Sequence, residues 1–429
     1  MNIKVSIIMP SLNVKEYIDQ TFKSVCEQTL QEIEIISVDA GSDDGTREII
    51  QKWANRDNRI KIVDSEKKSY GYQVNLGLKI AQGEYATILE TDDFVDLNMY
   101  EKIYKIAVVD KLDYVKSDYY VYWTMNNGKK LSFKRKIYSF NKIYDKIICP
   151  LDYYDNAVYD NYLWNGIYKL SFIQENNIKL NETPGAAYQD VGFIFQTHTK
   201  ALRAKYIPQA YYHYCLDRTN SSTNSCKSIK YFQQEFEFLN PLIENENKRD
   251  VNFYYIRMAR AFLFCCQHQM YTENADKSDI REKYDWFRKN LQDAVEKKLL
   301  QQNMLGIHLW NELHNLLNLT FEEAAQKKMT DIYSHIINAK NIVIFGCGYR
   351  GFCAYKYLKN IQKEPSVFLD NNSELWNTNI DNISIKAPQK YSDFPKDTVY
   401  LIANDSYYTE MKEQLINLGV EEDNICRFE

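Results

Sequence analysis

Three carboxylates follow a short apolar stretch near residue 90, and their spacing suits a divalent cation. Residues 85–89 read as a buried strand, and Glu90, Asp92 and Asp93 come directly after it. Alternation along an extended backbone puts Glu90 and Asp92 on one side and Asp93 on the other. Carboxylate oxygens suit Mg²⁺ or Mn²⁺, which usually hold one or two carboxylates plus substrate phosphates. A solvated acidic turn is the commoner meaning of such a cluster, so the metal hypothesis depends on the rest of the chain.

A second acidic segment follows another predicted strand. Residues 33–38 are apolar and read as a strand, and residues 39–46 form a turn-rich loop that begins with Asp39. Strands and helices alternate in β-α-β-α-β-α-β order across residues 4–89, which predicts a doubly wound parallel sheet. Ligands bind such sheets beyond the carboxyl ends of the strands. Asp39 and the cluster at 90–93 are therefore expected to face one crevice.

Local signals set the boundaries of the elements that position these groups. Pro10 is expected to end the first strand, and Ser11 or Asn13 to cap the helix that follows. Other elements are predicted as strands over residues 60–63 and 113–122 and as helices over residues 47–55 and 72–81.

Composition indicates a globular protein of two or three domains. A chain of 429 residues is too long for a single core, and 45% hydrophobic with 26% charged residues is ordinary. The net charge of −5 argues against general nucleic-acid binding. Nine cysteines without a C-x-x-C pair favour reduced thiols over a disulfide framework or a zinc site. The 35 tyrosines suit a carbohydrate surface, although an AT-rich genome produces the same bias.

No signal peptide or transmembrane segment is predicted. Residues 5–9 are too short for the apolar part of a signal peptide and run into Pro10, and no apolar run reaches transmembrane length. We therefore expect a cytoplasmic protein whose membrane contact is at most peripheral, at the inner face of the cytoplasmic membrane.

Four sequence blocks carry a family resemblance. They are V-S-I-I-M-P-S-L-N at 5–13, V-D-A-G-S-D-D-G-T at 38–46, N-x-G-L-x-x-A-x-G-E-Y at 75–85 and L-E-T-D-D at 89–93. In this order and spacing they resemble the signature blocks of family 2 glycosyltransferases, which have the GT-A fold. The resemblance covers roughly the first half of the chain.

The resemblance implies roles for individual residues. Asp39 should contact the nucleotide base, Asp92 should bind the metal on the diphosphate, and Glu90 replaces the first aspartate of D-x-D. The chain departs from the family at Gln73-Val74-Asn75, where A-R-N is usual, and at Ala40, where a second aspartate is usual. The donor-binding residues expected in and around the blocks are Pro10, Ser11, Asn13, Asp39, Gly41, Ser42, Tyr70, Asn75, Thr91, Trp164 and Arg218.

A candidate base comes later in the chain. Residues 164–169 resemble the W-x-K-x-Y block of these enzymes, with Gly166 at the lysine position. Gln189-Asp190 stands where the family commonly shows Glu-Asp, whose aspartate is the catalytic base in inverting members. Such a base must lie near the acceptor hydroxyl, opposite the leaving diphosphate. The alternative for Asp190 is a helix N-cap ahead of residues 191–197.

A closing block follows at residues 211–222. It resembles the Y-x-Y-R…S-S block of a bacterial surface-polysaccharide subgroup, with His213 and Cys215 at its arginine positions. His213 is a candidate metal ligand or diphosphate contact, although a lone histidine between tyrosines is more often structural. Arg218 is the nearest basic residue for neutralising the diphosphate, and a solvated surface arginine is the alternative.

The remaining chain divides into two parts. Residues 228–337 show helical spacing that packing explains, including a buried Cys265-Cys266 pair. Gly346–Gly351 is a G-x-G-x-x-G between a predicted strand and a helix, and Asp370 ends the next strand, as in Rossmann-like units. The stretch lacks a catalytic histidine or Tyr-x-x-x-Lys, so we interpret it as structural or oligomerising rather than dinucleotide-binding.

These patterns predict a GT-A domain at 1–228, a helical module at 229–337 and a Rossmann-like domain at 338–429. The expected activity is inverting hexosyl transfer with Mn²⁺ or Mg²⁺, from a nucleotide diphosphate sugar to a growing capsular polysaccharide or lipooligosaccharide. UDP is a family expectation. Two other functions stay open: an NAD-binding oxidoreductase or epimerase activity of the C-terminal unit, and a non-catalytic nucleotide-sugar-binding subunit, which the intact carboxylate set disfavours.

Overall fold

The chain forms two compact units in a computed structural model. The first comprises Met1–Val121, Lys134–Gln267 and Lys277–Leu317, and the second Tyr122–Phe133, His268–Asp276 and Asn318–Glu429. The structure describes residues 2–428 except 125–127, 129, 138–142, 154–159, 217–227, 245, 269–276, 332–335, 337, 389–393 and 405–406. No helix in the described part is long and apolar enough to cross a membrane. The division into three domains stays a prediction.

A mixed sheet of ten described strands organises the N-terminal part. Its order is β3-β2-β1-β4-β9-β6-β10-β5, with β7 beside β6 and β8 beside β10. The strands are β1 (Val5–Ser11), β2 (Ile33–Asp39), β3 (Ile60–Asp64), β4 (Tyr85–Ile88), β5 (Phe94–Val95), β6 (Tyr114–Thr124), β7 (Lys130–Arg135), β8 (Ile147–Ile148), β9 (Gly166–Lys169) and β10 (Ala204–Cys215). Strands β1 to β4 are parallel, and β9 runs antiparallel to β4 and β6.

Every residue of β1, β2 and β4 is buried, as expected for parallel strands that are covered on both faces. The covering helices include α1 (Ile18–Cys26), α2 (Thr46–Ala54), α3 (Tyr70–Ile80), α4 (Met99–Val109), α5 (Leu170–Glu175) and α6 (Gln189–Lys200). This arrangement confirms the predicted doubly wound sheet.

The predicted helical stretch after residue 228 is also confirmed, and Cys265 and Cys266 are buried in it. Its helices are α7 (Ser228–Ile243), α8 (Lys248–His268), α9 (Lys277–Glu296), α10 (Gln302–Leu305), α11 (Ile307–Leu317) and α12 (Phe321–Asp331).

The C-terminal part of the chain forms a second sheet. Its order is β13-β14-β12-β11-β15-β16, and every pair is parallel except β13 with β14. Its elements are β11 (Ile342–Phe345), α13 (Tyr349–Asn360), β12 (Val367–Leu369), β13 (Asn379–Ile380), β14 (Ile383–Lys386), β15 (Val399–Ile402), α14 (Tyr408–Asn417) and β16 (Ile425–Arg427). The Rossmann-like assignment stays a prediction.

Two local expectations were wrong. Pro10 lies inside β1, because β4 ends opposite Ile8 and β1 beyond that point has a ladder partner on one side only, where proline is tolerated. Neither Ser11 nor Asn13 caps α1. That helix has Tyr17 at its N-cap position, and no described side chain caps it.

Candidate active site

The carboxyl ends of β1, β2 and β4 meet at one edge of the sheet. Ser11 is paired with Asp39 across β1 and β2, and Asp39 is buried. Its carboxylate accepts a hydrogen bond of 2.6 Å from the Ser42 hydroxyl and one of 3.3 Å from the Ser42 N–H, and it lies 3.7 Å from the Arg47 guanidinium. Asp39, the predicted contact of the nucleotide base, is therefore held in place by the loop that follows it.

The loop after β1 and the loop after β2 are tied together. The Asn13 N–H donates to the Ser42 hydroxyl at 3.0 Å, and the Asn13 side chain exchanges two hydrogen bonds of 3.0 Å with Asp43. Gly41 has a φ of +77°, a conformation in which a side chain would be strained. Thr91 donates to the Pro10 carbonyl at 2.9 Å. The predicted donor residues of the first, second and fourth blocks therefore lie close together at the ends of these strands.

Asn75, a predicted donor-binding residue, and the nearby Gln73 are both hydrogen-bonded to other parts of the protein. The Asn75 amide bonds to both the N–H and the carbonyl of Leu180 at 2.9 Å. Gln73 donates to the carbonyls of Ser11 and Val38 at 2.9 and 2.7 Å, so it joins the ends of β1 and β2. The Gln73 amide therefore has a structural role at the ends of these two strands.

The acidic cluster separates into two parts. β4 ends at Ile88, and residues 91–92 form a turn, so the expected strand alternation does not apply there. Asp93 is buried and accepts hydrogen bonds from the Tyr212 hydroxyl at 2.6 Å and the Cys215 N–H at 2.7 Å. Burial and the neighbouring Asp92 carboxylate raise its pKa well above the usual value. Asp93 therefore anchors β10 to the cluster.

Glu90 and Asp92 fit a divalent cation. Both are partly exposed, and the Glu90 carboxylate accepts a hydrogen bond of 2.5 Å from the Tyr70 hydroxyl. Two oxygen donors of this kind match Mg²⁺ or Mn²⁺ when substrate phosphates complete the shell. The described residues contain no group of three or more His, Cys, Asp and Glu side chains that could hold a metal by themselves.

His213 lies in an aromatic stack. Its Nε2 atom is 2.9 Å from an Asp96 carboxylate oxygen, and its ring stacks on Phe94 and Tyr120 at centroid distances of 4.3 and 4.9 Å. Strand alternation points it to the face of β10 opposite Tyr212, which reaches Asp93. These contacts account for the ring without a metal, and the ligand role stays a prediction.

Asp190 lies in the first turn of α6. Tyr188 is the N-cap residue, with a φ of +63°, and no described side chain caps the helix, so the N-cap alternative for Asp190 is wrong. Burial raises the pKa of Asp190 to about 6, against the opposing effects of Arg257, backbone N–H groups and Lys116. Such a carboxyl exchanges protons near neutral pH.

Tyr70 links this carboxyl to the acidic cluster. Burial and the carboxylates of Glu90, Asp190 and Asp92 together raise the Tyr70 pKa well above its usual value. The Tyr70 N–H also donates to the Gly185 carbonyl at 2.9 Å, in the loop that leads into α6. Tyr70 therefore contacts both the acidic cluster and the loop that leads into α6, the helix that carries Asp190.

Trp164 and Arg218 are the two remaining residues that we predicted to bind the donor. Trp164 is buried and stacks on Tyr212 and Tyr214 at centroid distances of 4.2 and 5.3 Å. Arg218 lies outside the described residues. Trp164 therefore packs against the strand that holds Asp93, and donor binding by Trp164 and a diphosphate contact by Arg218 both stay predictions.

Sequence reasoning missed three ionisable side chains whose electrostatic interactions reach Asp190: Lys116, Glu235 and Arg257. All three are buried. The sequence pattern could have indicated that Glu235 is buried, because it falls with Phe232, Phe236 and Leu239 on the apolar face of α7. The same holds for Lys116, a lysine within an otherwise apolar strand.

The Gly-rich turn of the C-terminal unit has an internal partner. The Asp370 carboxylate accepts a hydrogen bond of 2.6 Å from the Cys347 N–H and one of 2.7 Å from the Asn372 N–H. A carboxylate on the Cys347 amide competes with any phosphate for that donor. The structural role of the turn stays a prediction.

Comparisons with known proteins identify the family. Residues 6–164 match the family described as Glycosyl transferase family 2, and residues 338–426 match one described as C2185-like, N-terminal. The N-terminal part of the chain belongs to family 2 of the glycosyltransferases and has the GT-A fold. The chain therefore contains a glycosyltransferase family 2 domain.

Two relatives extend beyond the matched segment. The chain is 28% identical over 250 residues to the cholesterol galactosyltransferase of Borreliella burgdorferi, which covers 57% of this chain and 68% of that protein. It is 27% identical over 360 residues to the uncharacterized glycosyltransferase EpsJ of Bacillus subtilis, which covers 76% and 97%.

The fold resembles that of S. aureus TarS. A crystal structure of TarS residues 1–349 in complex with UDP-GlcNAc has a TM-score of 0.61 at 18% identity, over 77% of this chain and 93% of that one.

Proposed function

We propose that this protein is an inverting, metal-dependent glycosyltransferase that moves a sugar from a UDP-sugar to a growing bacterial surface polysaccharide, either capsular polysaccharide or lipooligosaccharide. The observation that carries the proposal is the position of Asp190 in the first turn of α6: Tyr70 donates from its N–H to Gly185, in the loop that leads into this helix, and from its hydroxyl to Glu90 in the acidic cluster. A base and a diphosphate site within one crevice are what a single displacement at the anomeric carbon requires.

In this proposal each residue of the site has a role that follows from its position. Asp39 and Ser11 receive the nucleotide base at the ends of β1 and β2. Glu90 and Asp92 would hold Mn²⁺ or Mg²⁺, which would supply positive charge for the departing diphosphate when bound. Asp190 takes the proton of the acceptor hydroxyl while the hydroxyl oxygen bonds to the anomeric carbon and the bond to the UDP oxygen breaks. A base whose pKa lies near the working pH suits this transfer.

UDP is the nucleotide that the comparisons favour, because TarS, which shares the fold, was crystallised with UDP-GlcNAc. We place the reaction in the cytoplasm, at the inner face of the membrane, where such acceptors grow. We also propose that the protein self-associates through its C-terminal unit.

A nucleotide-sugar panel with Mn²⁺, scored by release of the nucleoside diphosphate and by thermal stabilisation, tests the proposal. Asp190→Asn keeps the shape and removes the proton acceptor, so donor binding should persist while turnover falls roughly a hundredfold to ten-thousandfold. Asp152→Asn, an exposed carboxylate that pairs with Arg249, is the matched control. Turnover of Asp190→Asn at the wild-type rate would assign the base to another residue.

A further inference from the structure

The turn before the helix that carries Asp190 has a strained backbone. Tyr188 has a φ of +63° and a ψ of +11°, in the left-handed region that a residue with a side chain rarely adopts. Its carbonyl accepts the Val191 N–H at 3.0 Å, at the start of α6. Such a conformation persists only where the surrounding structure enforces it. The groups that enforce it therefore also fix the direction in which the chain enters α6.

Gln189 bonds to the backbone and side chains on the inside of this turn. It is buried, at 2% exposure. Its Oε1 atom accepts a hydrogen bond of 2.7 Å from the Ala187 N–H, and its Nε2 atom donates to the Thr183 hydroxyl at 3.0 Å and to the Gly185 carbonyl at 3.3 Å. Because a backbone N–H can only donate, the bond from Ala187 fixes the orientation of the amide. One buried side chain thus spans the turn from residue 183 to residue 187.

The same turn is hydrogen-bonded to the start of α3. The Gly185 carbonyl also accepts the Tyr70 N–H at 2.9 Å, and the Gly185 N–H donates to the Lys68 carbonyl at 2.9 Å. The Tyr70 hydroxyl in turn donates to Glu90 at 2.5 Å. A series of hydrogen bonds therefore runs from Gln189, the residue before the candidate base, through Gly185 and Tyr70 to the acidic cluster.

Helix α7 supports the turn from its other side. The Tyr188 hydroxyl lies 2.9 Å from the Ser228 hydroxyl, and the Tyr188 ring packs on Phe232 at a centroid distance of 4.3 Å. These contacts hold the side chain of the strained residue, whereas Gln189 holds the backbone of the turn. The hydrogen bonds of Gln189 are therefore the ones that join the turn to itself.

We propose that Gln189 is a positioning residue for the transfer reaction, whose amide fixes the turn before α6 and thereby the placement of Asp190. The inference rests on the proposed role of Asp190 as the base. A displacement of about 1 Å of a catalytic group can cost roughly a hundredfold in rate. The residues proposed for donor binding lie at the ends of other elements, β1, β2 and β4. Loss of the Gln189 amide should therefore lower turnover and leave donor binding unchanged.

The experiment compares two buried glutamines of α6 in the full-length protein, with UDP-GlcNAc and the other nucleotide sugars of the panel as donors and Mn²⁺ present. Gln189→Met keeps the size of the side chain and removes its three hydrogen bonds. Gln196→Met is the matched control, because Gln196 is 6% exposed and its amide makes three hydrogen bonds to the backbone of Lys179 and Gly192 instead. Both variants should lose similar stability in urea unfolding. Only Gln189→Met should lower kcat for UDP release, by roughly tenfold to a hundredfold, with the KM for the donor unchanged.

Gln189→Glu is the second, milder variant. It keeps an acceptor for the Ala187 N–H and lacks the amide that donates to the Gly185 carbonyl, so its kcat should lie between those of the wild type and Gln189→Met. A wild-type kcat in Gln189→Met, or in Gln189→Glu if the methionine variant does not fold, overturns the inference. An equal loss of kcat in Gln196→Met overturns it too, as does a raised donor KM at an unchanged kcat. Wild-type turnover by Asp190→Asn, or no UDP release by the wild type from any nucleotide sugar, would instead overturn the proposed function.

Discussion

The substitution Glu235→Gln should make the protein more stable at neutral and alkaline pH. Glu235 is 1% exposed, and neither carboxylate oxygen meets a hydrogen-bond partner among the described residues. A side chain at Gly192 would meet its Oε2 atom at 2.7 Å, so the carboxyl lies directly against the first turns of α6. An ionised carboxylate in this place is costly.

The magnitude follows from the pKa. Burial raises the pKa of Glu235 from its ordinary 4.5 to about 8. Between these values the unfolded chain has released a proton that the folded chain keeps, so the free energy of unfolding falls as pH rises. At about 1.4 kcal/mol per pH unit, the loss is about 3 kcal/mol at pH 7 and about 4 kcal/mol at pH 8. Glutamine does not titrate, so Glu235→Gln removes this slope.

Urea unfolding at pH 5, 6, 7 and 8 measures the slope. The stability difference between Glu235→Gln and the wild type should grow steadily in favour of the variant across this range. Glu237→Gln on the same helix removes an exposed carboxylate that bonds to Gln233 and should give no such trend. Parallel stability curves for the wild type and Glu235→Gln would refute the reasoning, because Glu235 would then be ionised in the folded protein.

Two further predictions concern the acidic cluster and the buried ion pair of Lys116 with Asp160. Asp92→Asn should weaken UDP affinity in the presence of Mn²⁺, measured by calorimetry with and without EDTA, because the diphosphate loses its counter-charge; affinity that ignores both EDTA and the substitution would remove the metal role. Lys116→Met should cost about 3–5 kcal/mol in urea unfolding, since it leaves Asp160 charged and buried. The partly exposed pair of Lys205 with Asp110 is the control, and Lys205→Met should cost less than about 1 kcal/mol. Equal losses in the two lysine variants would contradict the expected effect of burial.

The sequence determined the sheet and the position of its acidic loops. Short apolar runs separated by turns and amphipathic helices carry their own periodicity, so β1, β2 and β4 could be predicted within a residue or two of their ends. Once strand order is known, Asp39 and Glu90 must lie at one edge. The resemblance added Asp190, which no local pattern singles out.

Only the tertiary structure decided what surrounds those groups. Asn75 and His213 proved to have structural partners, and Asp93 bonds to a strand more than a hundred residues away. The ionisable side chains whose electrostatic interactions reach Asp190 come from β6, α7 and α8, which lie far apart in the chain. Burial and electrostatic interaction depend on distance in space and on exclusion of water, and neither quantity is encoded in the spacing of residues along a sequence.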